Sequence, residues 1–406
     1  KAGFYKKVGK DILLFDAASG DYVPGGKKAD PIVDRILKKP AAERLKLLRE
    51  SSNPQAQFLW AILRDSFHYV AVHLADIADS VAAIAGELNR YPDRDFTSLR
   101  EALARYLGHG ISADQVWAAN GSNEVMLQVL QCFGGPGRRA LSFAPTYSMY
   151  PEYARDSNTE WVDGHRESDF SLDLDRAVAT IREVRPHVVL VPSPNNPTGT
   201  ALPLSAVTRL CEALPEGIVV VDEAYAEFRR TGTPSALELL PAHRNLAVSR
   251  TMSKAFALAG ARVGYLAADP AICAALRVIR LPYHLSAITQ AVAEAALRHA
   301  PELLAQVDAL RSERDSCVDW LRTQGYEAAD SDANFVLFGR FEDRHTVWQQ
   351  VLDRGVLIRE TGPNGWLRVS IGTPEEMQAF RAALTGTATT LGITPTIEDR
   401  KEGATR

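Results

Sequence analysis

Residues 249–265 read SRTMSKAFALAGARVGY. One lysine, Lys254, stands between an apolar, strand-like run (Leu246–Ser249) and a glycine-bearing turn. Ser253, Ala255, Ala257, Ala259 and Gly260 around it are small, so a bulky group can pack close to the amine. A lysine held away from water has a lowered pKa and acts as a nucleophile toward a carbonyl. Arg262, eight residues on, offers a planar fork that suits a phosphate. A single lysine at such a junction is more often a surface charge, so its reading depends on the rest of the chain.

An aldehyde partner that carries a phosphate suggests pyridoxal phosphate, and that cofactor makes further demands. Its pyridine nitrogen needs a carboxylate. The run IVVVD places Asp222 at the end of an apolar strand, where open α/β sheets bind their ligands, although a strand-ending Asp also serves as an ordinary turn residue. Tyr225, three residues on, is a donor for the phenolate oxygen. PSPNNPTG (192–199) follows another apolar run and offers Asn196 as a second donor; its two asparagines also suit a purely structural loop. Gly121-Ser122-Asn123 opens a helix after a strand, an anion-binding arrangement and equally a common cap. Tyr147 in APTYSMY supplies a ring to stack on the pyridine. Five strand-end loops thus present phosphate amides, a ring, an amide, a carboxylate and a lysine in that order.

The texture of the chain agrees. Short apolar runs at 115–119, 139–143, 187–191, 218–221, 246–249 and 263–266 alternate with helical stretches at 123–133, 203–213 and 234–240. That alternation predicts a mainly parallel sheet flanked by helices, an α/β fold. Beyond residue 276, helices at 287–299 and 301–324 and strands at 333–338 and 367–369 predict a smaller α+β domain. The first 80 residues differ: a strand at 11–15, a turn-rich loop at 20–28, and amphipathic helical patterns at about 32–50 and 55–85. The expected boundaries are 1–80, 81–275, 276–385 and a polar tail, 386–406.

The 406 residues carry a net charge of -4, and nothing in that balance suggests a nucleic-acid binder, which usually shows a basic face. Four scattered cysteines point to a reduced, cytoplasmic protein without a metal or disulfide framework. Apolar runs are strand length, so no membrane span is expected, and no apolar stretch follows the basic N-terminus as in a secretory leader.

Taken together, RYPDRD (90–95), AANGSNE (118–124), FAPTYSMYPEY (143–153), SPNNPTG (193–199), VVVDEAYAEF (219–228), TMSKAFALAGARVGYL (251–266), RLPYHLS (280–286), SDANFVLFG (331–339) and WLRVSIG (366–372) closely resemble fold-type I pyridoxal-phosphate aminotransferases. The specific similarity is to histidinol-phosphate aminotransferases of actinobacterial type, over about residues 80–385. The resemblance implies that Lys254 bonds to the cofactor and then moves the substrate proton. It implies that Asp222 pairs with the ring nitrogen, Asn196 and Tyr225 with the phenolate oxygen, and that Tyr147 stacks on the ring. Ser122, Asn123, Ser253 and Arg262 would hold the phosphate. Tyr91 would reach the neighbouring subunit's cofactor phosphate, which implies a homodimer. Arg368 would bind the carboxylate of glutamate or 2-oxoglutarate, with Arg359 and Asn334 at the phosphate of histidinol phosphate or imidazole acetol phosphate. The substrates are then small molecules of histidine biosynthesis.

The family's N-terminal arm, with a motif like LNxNENP, is absent from this sequence. Residues 1–80 instead resemble part of the helical domain of bacterial 3-hydroxyacyl-CoA dehydrogenases, without that enzyme's nucleotide domain or catalytic histidine. Two alternatives remain open on the sequence. Aromatic amino-acid aminotransferases share every cofactor ligand. The N-terminal segment also suits an acyl-CoA or partner-binding module on a poorly active aminotransferase scaffold.

Overall fold

The computed structural model describes residues 5–8, 11–16, 21–24, 47, 50, 51 and 74–393. The chain divides into two units at residues 68 and 69. In the first, β1 (Tyr5–Val8), β2 (Asp11–Asp16) and β3 (Asp21–Pro24) form an antiparallel meander. The strand expected at 11–15 is there. Its neighbours were not expected: β3 occupies part of the predicted loop at 20–28, where Tyr22 and Val23 pair with Phe15 and Leu14. Residues 21–24 are therefore strand rather than loop. The helical pattern at 55–85 is described only from residue 74, and most of the one at 32–50 lies outside the described residues.

The second unit begins with α1 (Leu74–Ala85), α2 (Thr97–Leu107), β4 (Val116–Ala119), α3 (Ser122–Phe133), β5 (Arg139–Ala144), α4 (Tyr150–Asp156), β6 (Glu160–His165) and α5 (Leu174–Val184). It continues through β7 (Val188–Pro192), α6 (Leu204–Ala213), β8 (Ile218–Asp222), β9 (Leu246–Thr251), β10 (Gly264–Ala268), α7 (Pro270–Ile279) and α8 (Ala287–Arg298). Then come α9 (Ala300–Leu304), α10 (Val307–Thr323), β11 (Glu327–Ala328), β12 (Phe335–Gly339), α11 (Arg344–Asp353), β13 (Trp366–Ser370) and α12 (Pro374–Leu391).

Seven strands make one sheet in the order β4-β10-β9-β8-β7-β5-β6. β7 (VVLVP) and β8 (IVVVD) are buried along their whole length, as near-continuous β-branched runs in a two-sided sheet should be. The β5–β6, β5–β7, β7–β8 and β8–β9 pairs are parallel. β10 is antiparallel to both neighbours, with Gly264 opposite Ala119 and Thr251. This polarity matters for the site. The loops after β4, β5, β7, β8 and β9 leave at one edge, and the residues just before β10 arrive at that same edge.

β6 was not expected, because EWVDGH carries two acids and a glycine and its burial is partial. The stretch at 234–240 is one 3-10 turn, Ala236–Leu239, and the helix expected at 301–324 is broken into α9 and α10. β11, β12 and β13 form a second, antiparallel sheet. Its core gathers Cys317, Leu321, Phe338, Leu367, Phe380 and Leu384. Val292, Ala296 and Leu303 instead join the core of the large sheet, so the two cores part some thirty residues later than the texture of the sequence suggested. Ile77 of α1 also joins the large core. α12 carries order through residue 391, with Thr387 buried; residues 394–406 of the expected tail lie outside the described residues.

Candidate active site

Asp222 ends β8 and is buried. The Tyr150 hydroxyl donates to its Oδ2 at 2.9 Å, and the Ala224 N–H donates to its Oδ1 at 3.2 Å. Burial pushes the Asp222 carboxyl up to about 6; the Tyr150 hydroxyl, the Ala224 N–H and the Lys254 charge pull it the other way. Glu223, its neighbour in the chain, is tied away from it. Glu223 Oε2 accepts from Arg250 Nη2 at 2.7 Å, and Oε1 from Arg229 Nη1 at 3.3 Å and from the Ala236 N–H at 2.8 Å. Two adjacent carboxylates therefore have separate environments, one faced by fixed cations and one left at the strand end.

Lys254 follows β9, and its Nζ stands 5.5 Å from the centroid of the Tyr225 ring. The side chain keeps a path to solvent. Enough protein surrounds it that lost hydration still lowers its pKa; Arg368, Arg359 and Arg262 lower it further, against Asp222. Burial likewise pushes the Tyr225 phenol up to about 12, with Arg368 opposing. Tyr147 lies beyond β5, packed edge-on against Tyr150 with centroids 5.5 Å apart. Its phenol is raised by burial and by Asp222, while the Asn123 side chain and Arg262 act against that rise.

The expected phosphate ligands share one corner. β4 hands over to α3 through Gly121, whose φ of +86° suits glycine. A Cβ there would lie 2.2 Å from Arg262 Nη2, so the absent side chain makes room for the guanidinium. Arg262 Nη1 donates to the Ala259 carbonyl at 3.0 Å and to Ser253 Oγ at 3.4 Å. Its Nη2 donates to the Asn120 carbonyl at 3.5 Å. A Cβ on Gly264 would lie 2.1 Å from the Ser122 nitrogen, so a second glycine lets β10 close on the first turn of α3. Ser122 and Asn123 open that turn, where backbone N–H groups have no intrahelical acceptor and form the positive end of the helix.

The second sheet supplies arginines. Arg359 and Arg368 exchange two backbone hydrogen bonds of 2.9 Å, so they oppose each other directly and project to one face. The Arg368 guanidinium lies 4.5 Å over the Phe335 ring, and Nη1 donates to Asn196 Oδ1 at 2.5 Å. Burial and the Arg359 charge lower the Arg368 pKa. Asn334 lies just ahead of β12, and its carbonyl accepts from the Ile371 N–H at 2.9 Å. Asn195 is the buried member of the asparagine pair; its Nδ2 donates to the Pro145 carbonyl at 3.0 Å and to Thr198 Oγ1 at 2.7 Å. Asn195 thus builds the loop, while Asn196 turns toward Arg368.

Tyr91 stands apart from this set. It is 81% exposed, and its ring stacks on Tyr283 at 4.6 Å. Tyr150 and the Glu223–Arg250 pair were missed in the sequence. Tyr150 lies three residues beyond Tyr147, where the loop enters α4, and that spacing was the available signal. Nothing local marked Arg250 as the partner of Glu223.

The chain matches the model of the family described as "Aminotransferase class I and II" over residues 64–384. It is 64% identical over 308 residues to a histidinol-phosphate aminotransferase of Thermobifida fusca, covering 76% of this chain and 84% of the relative. A histidinol-phosphate aminotransferase of Paenarthrobacter aurescens is 52% identical over 356 residues, 87% of this chain and 96% of the relative. The crystal structure of histidinol-phosphate aminotransferase from Sinorhizobium meliloti in complex with pyridoxal-5'-phosphate superposes with a TM-score of 0.70 at 26% identity, over 78% of this chain and 87% of that one. The dehydrogenase resemblance of residues 1–80 is not borne out. The family match begins at residue 64, and a match over 87% of the chain reaches further into those residues than the stretch after residue 80 allows.

Proposed function

The chain belongs to the class I and II aminotransferase family, and we propose that it transfers an amino group between glutamate and imidazole acetol phosphate, forming 2-oxoglutarate and histidinol phosphate. One observation carries this reading. A lysine of lowered pKa shares its electrostatic surroundings with a buried carboxylate from the large sheet and two opposed arginines from the small one.

The residues fit pyridoxal phosphate. Gly121 leaves the space that Arg262 occupies at the mouth of a helix, and Asp222 is a buried carboxylate among neutral hydroxyls. When bound, the cofactor supplies an aldehyde to take up the amino group and a ring that draws electrons from the substrate Cα. Asp222 holds the proton on the ring nitrogen. Asn196 and Tyr225 would serve the phenolate oxygen, and Tyr147 would stack on the ring. Ser122, Asn123, Ser253 and Arg262 hold the phosphate. Lys254, its pKa lowered by lost hydration and by the nearby arginines, would take the proton from the substrate Cα and later give it back. Arg368 binds the glutamate carboxylate, and Arg359, with Asn334, the substrate phosphate. One site must take a carboxylate and a phosphate in turn, and opposed arginines suit both.

Exposed Tyr91, Tyr283, Val278 and Leu281 support a homodimer, in which Tyr91 reaches the partner's phosphate site. Among the described residues no helix is long and apolar enough to cross a membrane, and a cytoplasmic location accords with a biosynthetic role.

The test is the visible spectrum of the purified chain with pyridoxal phosphate, before and after L-histidinol phosphate alone. A yellow band that bleaches, and that 2-oxoglutarate restores, is expected. A band that bleaches with phenylalanine but not with histidinol phosphate would overturn the substrate, and no band would overturn the reading.

A further inference from the structure

We propose that Tyr150 is a positioning residue that keeps Asp222 ionised and aimed at the cofactor's ring nitrogen, an inference that rests on the cofactor reading above. Tyr150 is fully buried at the start of α4, and its hydroxyl meets Asp222 Oδ2 at 2.9 Å. The partner lies 72 residues away, across β6, α5, β7 and α6. A hydroxyl donating to a carboxylate stabilises its charged form. Among the described residues, the other oxygen takes the Ala224 N–H, at 3.2 Å.

The groups that bear on Asp222 come from several elements. Lys254 after β9 favours its charge, whereas Glu223 beside it disfavours it. Tyr147, Tyr153 and Tyr225 also sense its field, and each phenol is raised, first by burial. Glu223 is engaged by Arg250 and Arg229, so those guanidinium groups are directed at the neighbouring carboxylate. Among the described side chains, Tyr150 is thus the direct hydrogen-bond donor to Asp222. A carboxylate taken out of water with one side-chain donor depends strongly on that donor.

Two probes separate this role from packing. Pyridoxamine 5'-phosphate carries the ring nitrogen and cannot bond covalently to Lys254; its 1-deaza analogue replaces that nitrogen with carbon. Their Kd values for the cofactor-free protein, measured by calorimetry in wild type and Tyr150→Phe, give the answer. The expected result is a Kd for pyridoxamine phosphate raised about tenfold, with the deaza analogue within about twofold of wild type. Equal weakening of both probes would make Tyr150 a packing residue, and no change in either would also overturn the inference. Wild type that binds neither probe would instead overturn the cofactor reading, and this inference with it. Should Tyr150→Phe not fold, 3-fluorotyrosine at position 150 keeps the shape and strengthens the donor. The loss of pyridoxamine phosphate affinity on acidification must then move to lower pH, and an unmoved limb overturns the proposal.

Discussion

Arg368 Nη1 donates to Asn196 Oδ1 at 2.5 Å, and this bond joins the middle of β13 in the small sheet to the loop after β7 in the large one. The arginine proposed to bind the substrate carboxylate and the asparagine proposed to bind the cofactor are therefore fixed by each other. Arg368→Ala should raise the KM for glutamate about tenfold to a hundredfold, the range for a lost hydrogen bond to a charged group. Steady-state kinetics with glutamate varied would check this. A change in kcat alone would argue against a carboxylate contact.

Lys254→Ala removes the amine proposed to move the proton. Turnover should fall roughly 10²–10⁴-fold from that role alone. Rapid-mixing measurements of the half-reaction with histidinol phosphate would show it. Partial rescue by added methylamine would identify the loss as that of a base.

The pH dependence follows from Asp222. Burial raises its carboxyl to about 6, so the charged form proposed to pair with the ring nitrogen is present above that value and is lost as pH falls through it. Cofactor affinity should decline between about pH 7 and pH 5. Asp222→Asn should flatten this limb. The sign for folding is opposite: a carboxyl raised on folding makes the folded state relatively more stable as pH falls from 6 toward its ordinary range.

Gly121→Ala tests the phosphate corner. At φ +86° and ψ +162°, a region almost confined to glycine, an alanine costs about 1–3 kcal/mol, and the new methyl displaces Arg262. Affinity for pyridoxal phosphate should drop more than affinity for phosphate-free pyridoxal. Equal losses would place the phosphate elsewhere.

Glu223→Gln leaves Arg250 and Arg229 facing a neutral amide in a buried site. Breaking such a pair costs about 3–5 kcal/mol. The Tm should fall by roughly 10 °C by scanning calorimetry. An unchanged Tm would mean the pair is merely tolerated.

Much of the fold was legible because its signals are local. β7 and β8 are runs of Val, Ile and Leu, β9 opens on the apolar Leu246–Val248, and the ends of all three were placed to within two residues. β6 escaped because its burial is partial, so alternation never rises above the polar background. β3 escaped because DYVP sits among glycines and prolines, and only pairing with β2 makes it a strand. The helix expected at 301–324 is broken at residues 305 and 306, in a stretch with no glycine or proline to announce it.

The sequence by itself determined the order of strand-end loops and the chemistry each one offers. Those follow from residue type and neighbouring turns, within a few positions of each other. A parallel sheet must send its strand ends to one edge, so Asn196, Asp222 and Lys254 were bound to converge. Which side chains then meet was decided by tertiary structure alone. Tyr150 reaches Asp222 over 72 residues, and Arg368 reaches Asn196 over 172. The direction of β10, antiparallel among parallel strands, brings Arg262 to the same edge. Such contacts depend on how helices and a second sheet pack, and packing is a property of the whole chain.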